Sequence, residues 1–140
     1  MAYETERLVE WGDCDAAGIV FFPNFYRWID GHYHRFTKAC AFYDQRTLLA
    51  DHGLLGTPLR DTGCTFHAPA RFGDVLTIAS KLTKLGTTSL SLTYVFTRNG
   101  TLVAKGMETR VMVREVDGVI AKAPIPDAVR SRLAPLVEAG

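Results

Sequence analysis

Residues 23–43 read PNFYRWIDGHYHRFTKACAFY. From Phe25 onward the bulky side chains Trp28, Ile29, His32, Phe36, Cys40 and Tyr43 recur at intervals of three and four, which puts them on one face of a helix. Pro23 suits the first helical turn, where its missing N–H goes unneeded, so the helix starts there. It is the longest helix the chain offers. Gly31 in its interior costs about 1 kcal/mol relative to Ala, which points to a closely packed neighbour or a local irregularity at that point, with packing the favoured reason. A weaker helical stretch follows through Leu48, Leu49 and His52, and Gly53 supplies its stop.

On the N-terminal side, Tyr3 to Trp11 is β-capable and ends at Gly12, so it reads as a short strand followed by a loop. On the C-terminal side the period changes to two. Leu76, Ile78 and Leu82 form one series, Leu90, Leu92, Tyr94 and Phe96 a second, and Val103, Met107, Val111 and Val113 a third. Gly86 follows the first, Asn99-Gly100 is a type I′ hairpin signal, and Asp117-Gly118 closes the last. The stretch Leu54 to His67 supplies a less regular strand. Arg130, Leu133, Leu136 and Val137 form a short terminal helix after Pro124 and Pro126. A long apolar-faced helix followed by strands on tight turns describes an α+β fold, an antiparallel sheet wrapped around one central helix. One helix does not cover a broad sheet, so subunit association is expected.

A chain of 140 residues with 47% hydrophobic and 22% charged side chains suits a single domain spanning residues 1–140. Sixteen Lys and Arg against fifteen Asp and Glu leave a net charge of +1, which argues against a generalised grip on nucleic acid or anionic membrane. No apolar run reaches the roughly 18 residues of a membrane span, and the N-terminus carries acids instead of an apolar signal core. A cytoplasmic location and no membrane partner are expected. Cys14, Cys40 and Cys64 contain no CxxC pair, so reduced thiols are expected and a zinc knuckle is not. His32 and His34 lie about 200° apart around a helix and do not share a metal there.

The chemistry-bearing stretch is WGDCDAAGIVFFPNFYRW, residues 11–28. It carries Asp13 and Asp15 on a loop that runs into the N-terminus of the main helix. A helix start presents unpaired N–H groups and a partial positive charge, which suits a developing oxyanion. On the residues alone, the two carboxylates either shape the turn by bonding nearby amides or take part in acyl transfer. No G-x-S-x-G elbow or Ser-His-Asp order accompanies them. Cys14 reads as an inert filler.

At this stretch, through D-x-D-x-x-G-I-V and the aromatics and Asn24 that follow, the chain resembles the 4-hydroxybenzoyl-CoA thioesterase family of hot-dog-fold proteins. Weaker similarity runs through Gly56-Thr57-Pro58 and through Phe72 to Ile78. The resemblance implies hydrolysis of an aromatic or short-chain acyl-CoA, with Asp15 as nucleophile or general base. It implies that the backbone N–H of Phe22 polarises the thioester oxygen and that Gly18 lets the loop approach the acyl group. Phe21 and Phe25 would border that group. Asp30 matches an acid that meets a ring hydroxyl in aromatic-acyl members. Thr57 and Pro58, with Phe66, would line the acyl pocket across a subunit boundary, in a dimer paired into a tetramer. Asp13 is assigned a structural role.

Coenzyme A is part of the substrate, so no cofactor and no metal is implied. Its phosphates call for cations, and Lys84, Lys105, Arg110 and Arg114 are the strand candidates. The family's basic cluster is absent after Leu85, where this chain has Gly86-Thr87-Thr88-Ser89. Ser89 and Arg110 are therefore placed with the substrate-binding residues. A hot-dog hydratase or dehydratase would need a His paired with an acid, and this loop has none. A non-catalytic acyl-CoA-binding protein would be expected to lack the acid, and Asp15 is present.

Overall fold

In the computed structural model, which describes residues 2–138, the period-two series become strands of one antiparallel sheet. These are β1 (Tyr3–Leu8), β2 (Leu59–Phe66), β3 (Val75–Leu85), β4 (Ser89–Arg98) and β5 (Thr101–Val111), in the order β1-β3-β4-β5-β2. A separate hairpin joins β6 (Val113–Val116) to β7 (Val119–Lys122). The helices are α1 (Pro23–Cys40), α2 (Gln45–His52) and α3 (Asp127–Leu133). Asn99 and Gly100 have φ of 48° and 78°, and Asp117 and Gly118 have 50° and 78°. Both pairs take the left-handed conformation that a type I′ turn requires.

The sheet wraps α1, as the hot-dog fold requires. Phe25 stacks edge-on against Phe96 of β4 with centroids 5.2 Å apart, and His32 meets Tyr94 at 5.7 Å. Phe25, Trp28, Ile29, His32, Tyr33 and Phe36 are buried, so the helical face read from spacing is the face that packs. Burying each of the large apolar ones contributes about 1.5–3 kcal/mol. Helix α2 begins with a capping box between Asp44 and Thr47 and stops at Gly53, whose φ is 64°.

Three sequence expectations need correction. The first strand ends at Leu8, and Trp11–Asp13 forms a turn of 3-10 helix instead of continuing it. The third apolar series is not the row of β5 that faces α1: opposite the buried Leu90, Leu92, Tyr94 and Phe96 stand Arg110, Glu108, Gly106 and Ala104, although Val103, Val111 and Val113 of the series are themselves buried. Small and charged residues occupy the core-facing row of β5, while Met107 is 38% exposed. A Cβ on Gly106 would come within 2.7 Å of Ile29 Cδ1, so this glycine sets how closely α1 approaches the sheet.

The third concerns Gly31, which has no tight neighbour. A Cβ there would meet only Arg35 Nη2 at 3.9 Å, and the helix runs through it without interruption. Gly31→Ala is therefore expected to stabilise the protein by about 1 kcal/mol, read as a rise in the denaturation midpoint. An unchanged or lower midpoint would show that this position is covered in the native assembly.

His32 ties α1 to two strands. Its Nδ1 lies 2.7 Å from Thr5 Oγ1 on β1, and its Nε2 lies 2.7 Å from Ser80 Oγ on β3. Burial, reinforced by the positive charge of Arg35, pushes its pKa down to about 4. The native state keeps a neutral imidazole, whereas the unfolded chain takes up a proton near pH 6.5. Stability present above that pH is lost as pH falls toward the folded value, by an amount on the order of 3 kcal/mol. Denaturation at about pH 7.5 and about pH 4.5 should show a smaller acid loss in His32→Gln than in the native protein. Equal losses would contradict the assignment.

Candidate active site

The loop after the 3-10 turn folds back on itself because Cys14 and Val20 pair as an isolated bridge. Asp15 N donates to Ile19 O and Gly18 N donates to Asp15 O, each at 2.9 Å. Gly18 takes a φ of 77°, a conformation that glycine adopts without strain. Ala17 N donates to Asp15 Oδ1 at 2.9 Å, and Oδ2 has no hydrogen-bond partner among the described residues. Asp15 is exposed in the single protomer.

Asp13 is occupied differently. Its Oδ2 accepts from Glu10 N at 2.8 Å and lies 3.5 Å from Arg7 Nη2, while its carbonyl accepts from Phe21 N and from the buried Asn24 side chain. These bonds staple the loop to the start of α1. The first carboxylate of the D-x-D pair is thus committed to structure and the second is not.

Where the chain enters α1, one backbone donor among the described residues is free. Pro23 has no N–H, Asn24 N donates to Phe21 O, and Phe25 N donates to Phe22 O. That leaves the Phe22 N–H, which has no acceptor among the described residues. Phe21 and Phe22 are about half exposed, whereas Phe25 is buried. A cavity of about 320 Å³ opens beside Phe22, walled by Ile19, Val20, Phe25, Phe66 and Ala70. Phe66 stacks edge-on against Phe25 at 5.2 Å and lies 6.4 Å from Phe22.

Asp30, Thr57, Pro58 and Arg110 meet at a second place. Asp30 lies eight residues beyond Phe22, about 12 Å along the helix axis. Arg110 rises from β5 beneath it, 3% exposed, with Nη2 2.6 Å from Asp30 Oδ1. The same guanidinium grips Glu108 through Nε and Nη2 at 3.0 and 3.2 Å, donates to Thr57 O at 3.0 Å, and stacks on the Tyr33 ring at 3.9 Å. Burial alone would lower the Arg110 pKa. Glu108 and then Asp30 more than offset this, so the pKa is raised and the side chain stays charged.

Tyr94 donates to Glu108 Oε1, the oxygen that Arg110 Nε also binds, and Tyr33 OH bonds to Thr57 Oγ1 at 2.9 Å and to Tyr43 OH at 3.2 Å. Burial raises the pKa of all three phenols, so each remains a neutral hydroxyl. The network borders a second cavity of about 300 Å³ lined by Tyr33, Thr37, Tyr43, Leu48, Thr57 and Arg110.

The predicted residues therefore fall into two groups. Asp15, Gly18, Phe21, Phe22 and Phe25 gather at the helix start; Asp30, Thr57, Pro58 and Arg110 gather two turns along. Ser89 stands apart, at the start of β4 opposite Val111, with its carbonyl accepting from Gly86 N at 2.7 Å. Arg110 does not face solvent as a phosphate-binding cation would, because its guanidinium is enclosed between two carboxylates. Lys84, Lys105 and Arg114 are exposed.

Glu108, Tyr33 and Tyr94 were missed as members of the network. A signal existed: Glu108 and Arg110 are two apart on a strand and so share a face, and a buried face makes such a pair a salt bridge.

A family model described as Thioesterase-like superfamily matches residues 9–133 of the chain. The 4-hydroxybenzoyl-CoA thioesterase of Pseudomonas sp. strain CBS-3 is 38% identical over 73 residues, about half the length of each chain (52% of both). The 1,4-dihydroxy-2-naphthoyl-CoA hydrolase of Synechococcus sp. strain RCC307 is 28% identical over 125 residues, 87% of this chain and 93% of that one. Among solved structures, the Pseudomonas enzyme superimposes with a TM-score of 0.87 at 26% identity, covering 93% of this chain and 97% of that one. A gentisyl-coenzyme A thioesterase superimposes with a TM-score of 0.78 at 35% identity, covering 94% and 99%.

Proposed function

Because this chain belongs to the thioesterase-like superfamily, we propose that it hydrolyses the thioester of an aromatic or short-chain acyl-CoA to free acid and CoA. The observation that carries the reading is a carboxylate with one free oxygen, Asp15, on a loop whose other arm delivers the unpartnered Phe22 N–H. A thioester carbonyl oxygen at that N–H gains negative charge as the carbonyl carbon is attacked, and a fixed amide donor stabilises that charge without reorganising. The Asp15 carboxylate acts in one of two ways. It adds to the carbon, giving a mixed anhydride that water opens, or it takes the proton of a water that adds. In both, the C–S bond breaks and CoA leaves as a thiolate that then takes up a proton.

The aromatic-walled cavity beside Phe22 supports an aromatic acyl group, as do the hydroxylated aromatic thioesters in the relatives' names. No cofactor is needed, because CoA arrives with the substrate. Among the described residues no cluster of three metal ligands occurs, and no helix is long and apolar enough to cross a membrane. A homodimer, paired into a tetramer, completes the site in this reading. Strand β2 leaves one edge of the sheet unpaired, with Leu59 and Phe66 each 46% exposed at its two ends and Phe66 beside the exposed Phe22, and a second protomer there would shield Asp15 from water.

Purified protein offered a panel of acyl-CoAs should release free thiol from aromatic members. No release from any of them would refute the reading.

A further inference from the structure

Residues 67–74 carry the chain from the end of β2 to the start of β3 and cross the end of the sheet on the way. His67 N donates to Val103 O at 2.8 Å, Pro69 O accepts from Arg98 Nη1 at 2.7 Å, and Gly73 N donates to Val9 O at 2.9 Å. The cavity beside Phe22 begins at the β2 end of this crossing, where Ala68, Pro69 and Ala70 wall it. At the β1 end, Trp11 and Phe72 meet edge to face with ring centroids 5.7 Å apart, and they are 77% and 61% exposed. Neither ring sits on a loose tip. Trp11 opens the 3-10 turn that Glu10 and Asp13 cap, and Phe72 lies in a turn where the Asp74 carboxylate accepts from Arg71 N at 2.8 Å and from Arg98 at 3.0 Å. Between the cavity and the rings stands Arg71, whose backbone pairs with Ile19 of the Asp15 loop. Arg71 is exposed and its guanidinium has no hydrogen bond or ion pair among the described residues, while the acids near it are engaged, Asp74 by Arg98 and Glu10 by Arg7.

We propose that this edge of the molecule holds the adenine nucleotide of the CoA substrate: the base stacks on the Trp11–Phe72 pair and the phosphates meet Arg71. This rests on the thioesterase reading above. With strands in the order β1-β3-β4-β5-β2, the crossing from one edge to the other measures about 19 Å. The pantetheine and pyrophosphate of a thioester seated at the Phe22 N–H reach about 20 Å when extended, so the base arrives at the rings. An edge-to-face pair leaves a face of each ring open to stacking, and a forked guanidinium matches phosphate oxygens. The place lies at the other end of β3 from the turn at residues 86–89.

The test uses the full chain and two thioesters of one aromatic acid, the acyl-CoA and the acyl-pantetheine, which lacks the nucleotide. The acyl group is the one that the native protein hydrolyses fastest as its CoA thioester. The native protein should favour the CoA thioester by about tenfold or more in kcat/KM, with the difference in KM. Trp11→Ala, Phe72→Ala and Arg71→Gln should each cut that ratio at least about fivefold, whereas damage to the fold would lower both substrates together and keep the ratio. Adenosine 3′,5′-bisphosphate, the nucleotide without the arm, gives a readout independent of turnover. It should quench the emission of the exposed Trp11 and spare that of Trp28, which is 6% exposed, and its binding should weaken as salt rises. In Trp11→Phe the quenching should vanish while the bisphosphate still competes with the acyl-CoA. Equal kcat/KM for the two thioesters, a ratio kept in the three variants, or no quenching of Trp11 by the bisphosphate overturns this proposal alone. If no acyl-CoA is hydrolysed, the thioesterase reading falls, and quenching by the bisphosphate decides the nucleotide site by itself.

Discussion

Replacing Asp15 with Asn is expected to lower kcat/KM for acyl-CoA hydrolysis by about 10²–10⁴-fold, the usual contribution of a positioned acid or base. The substitution keeps the side chain's shape and its one local bond. The amide oxygen still accepts from Ala17 N, as Asp15 Oδ1 does at 2.9 Å, so the loop and the melting temperature should hold. What is lost is the negative charge and the basic oxygen, which both routes require. Asp13→Asn should behave in the opposite sense. Its carboxylate meets Glu10 N and Arg7 rather than solvent, so the effect falls on stability first. Thiol release followed for both variants against the same thioesters separates the two acids, and undiminished turnover in Asp15→Asn would remove this residue from the chemistry.

The second large effect concerns stability. Glu108 is 1% exposed and Arg110 3% exposed, and each neutralises the other inside the core. Glu108→Ala leaves a guanidinium in the protein interior with its main partner gone and the Tyr94 hydroxyl without its acceptor. Breaking a buried pair from one side costs about 3–5 kcal/mol, which for a chain of this size lowers the melting temperature by something on the order of 10 °C. Removing both charges, Glu108→Leu with Arg110→Met, should recover most of that loss, because desolvation of the pair is removed along with its attraction. If the single replacement melts like the native protein, the pair is not the buried unit described here.

Much of this fold is legible in the sequence because its signals are redundant. Pro23 and the three-four spacing from Phe25 to Phe36 both mark α1, and Asn99-Gly100 and Asp117-Gly118 both demand left-handed turns. Strands β3 and β4 read clearly because their core faces are aliphatic and aromatic. Strand β5 reads in the wrong phase for a physical reason. Its inward row of Ala104, Gly106, Glu108 and Arg110 makes room for a helix and carries a salt bridge, so it has the composition of a solvent-facing row. The apolar residues Met107 and Val111 sit on the other. The hairpin of β6 and β7 is exposed along most of its length, with Val116, Val119 and Ile120 at 50–65%, and no buried face imposes an alternation to read.

At the candidate site, the family resemblance implies a structural Asp13 and a reactive Asp15; the hydrogen bonds engage the Asp13 carboxylate with Glu10 N and Arg7 and leave one Asp15 oxygen free. The position of Arg110 did not follow from sequence. A cation on a strand reads as a surface phosphate ligand until its strand partner Glu108 is placed beside it, and that placement depends on the phase that the apolar pattern concealed.

In the proposed reaction a thioester carbonyl binds at the Phe22 amide, just ahead of α1, with residue 15 beside its carbon. The most direct test is a crystal structure of the Asp15→Asn protein in its native assembly with an uncleaved aromatic acyl-CoA. The thioester oxygen should lie within hydrogen-bond distance of the Phe22 N–H, with the residue 15 side chain facing the carbonyl carbon. A thioester bound with its carbonyl away from that amide, and residue 15 turned to solvent, would contradict it.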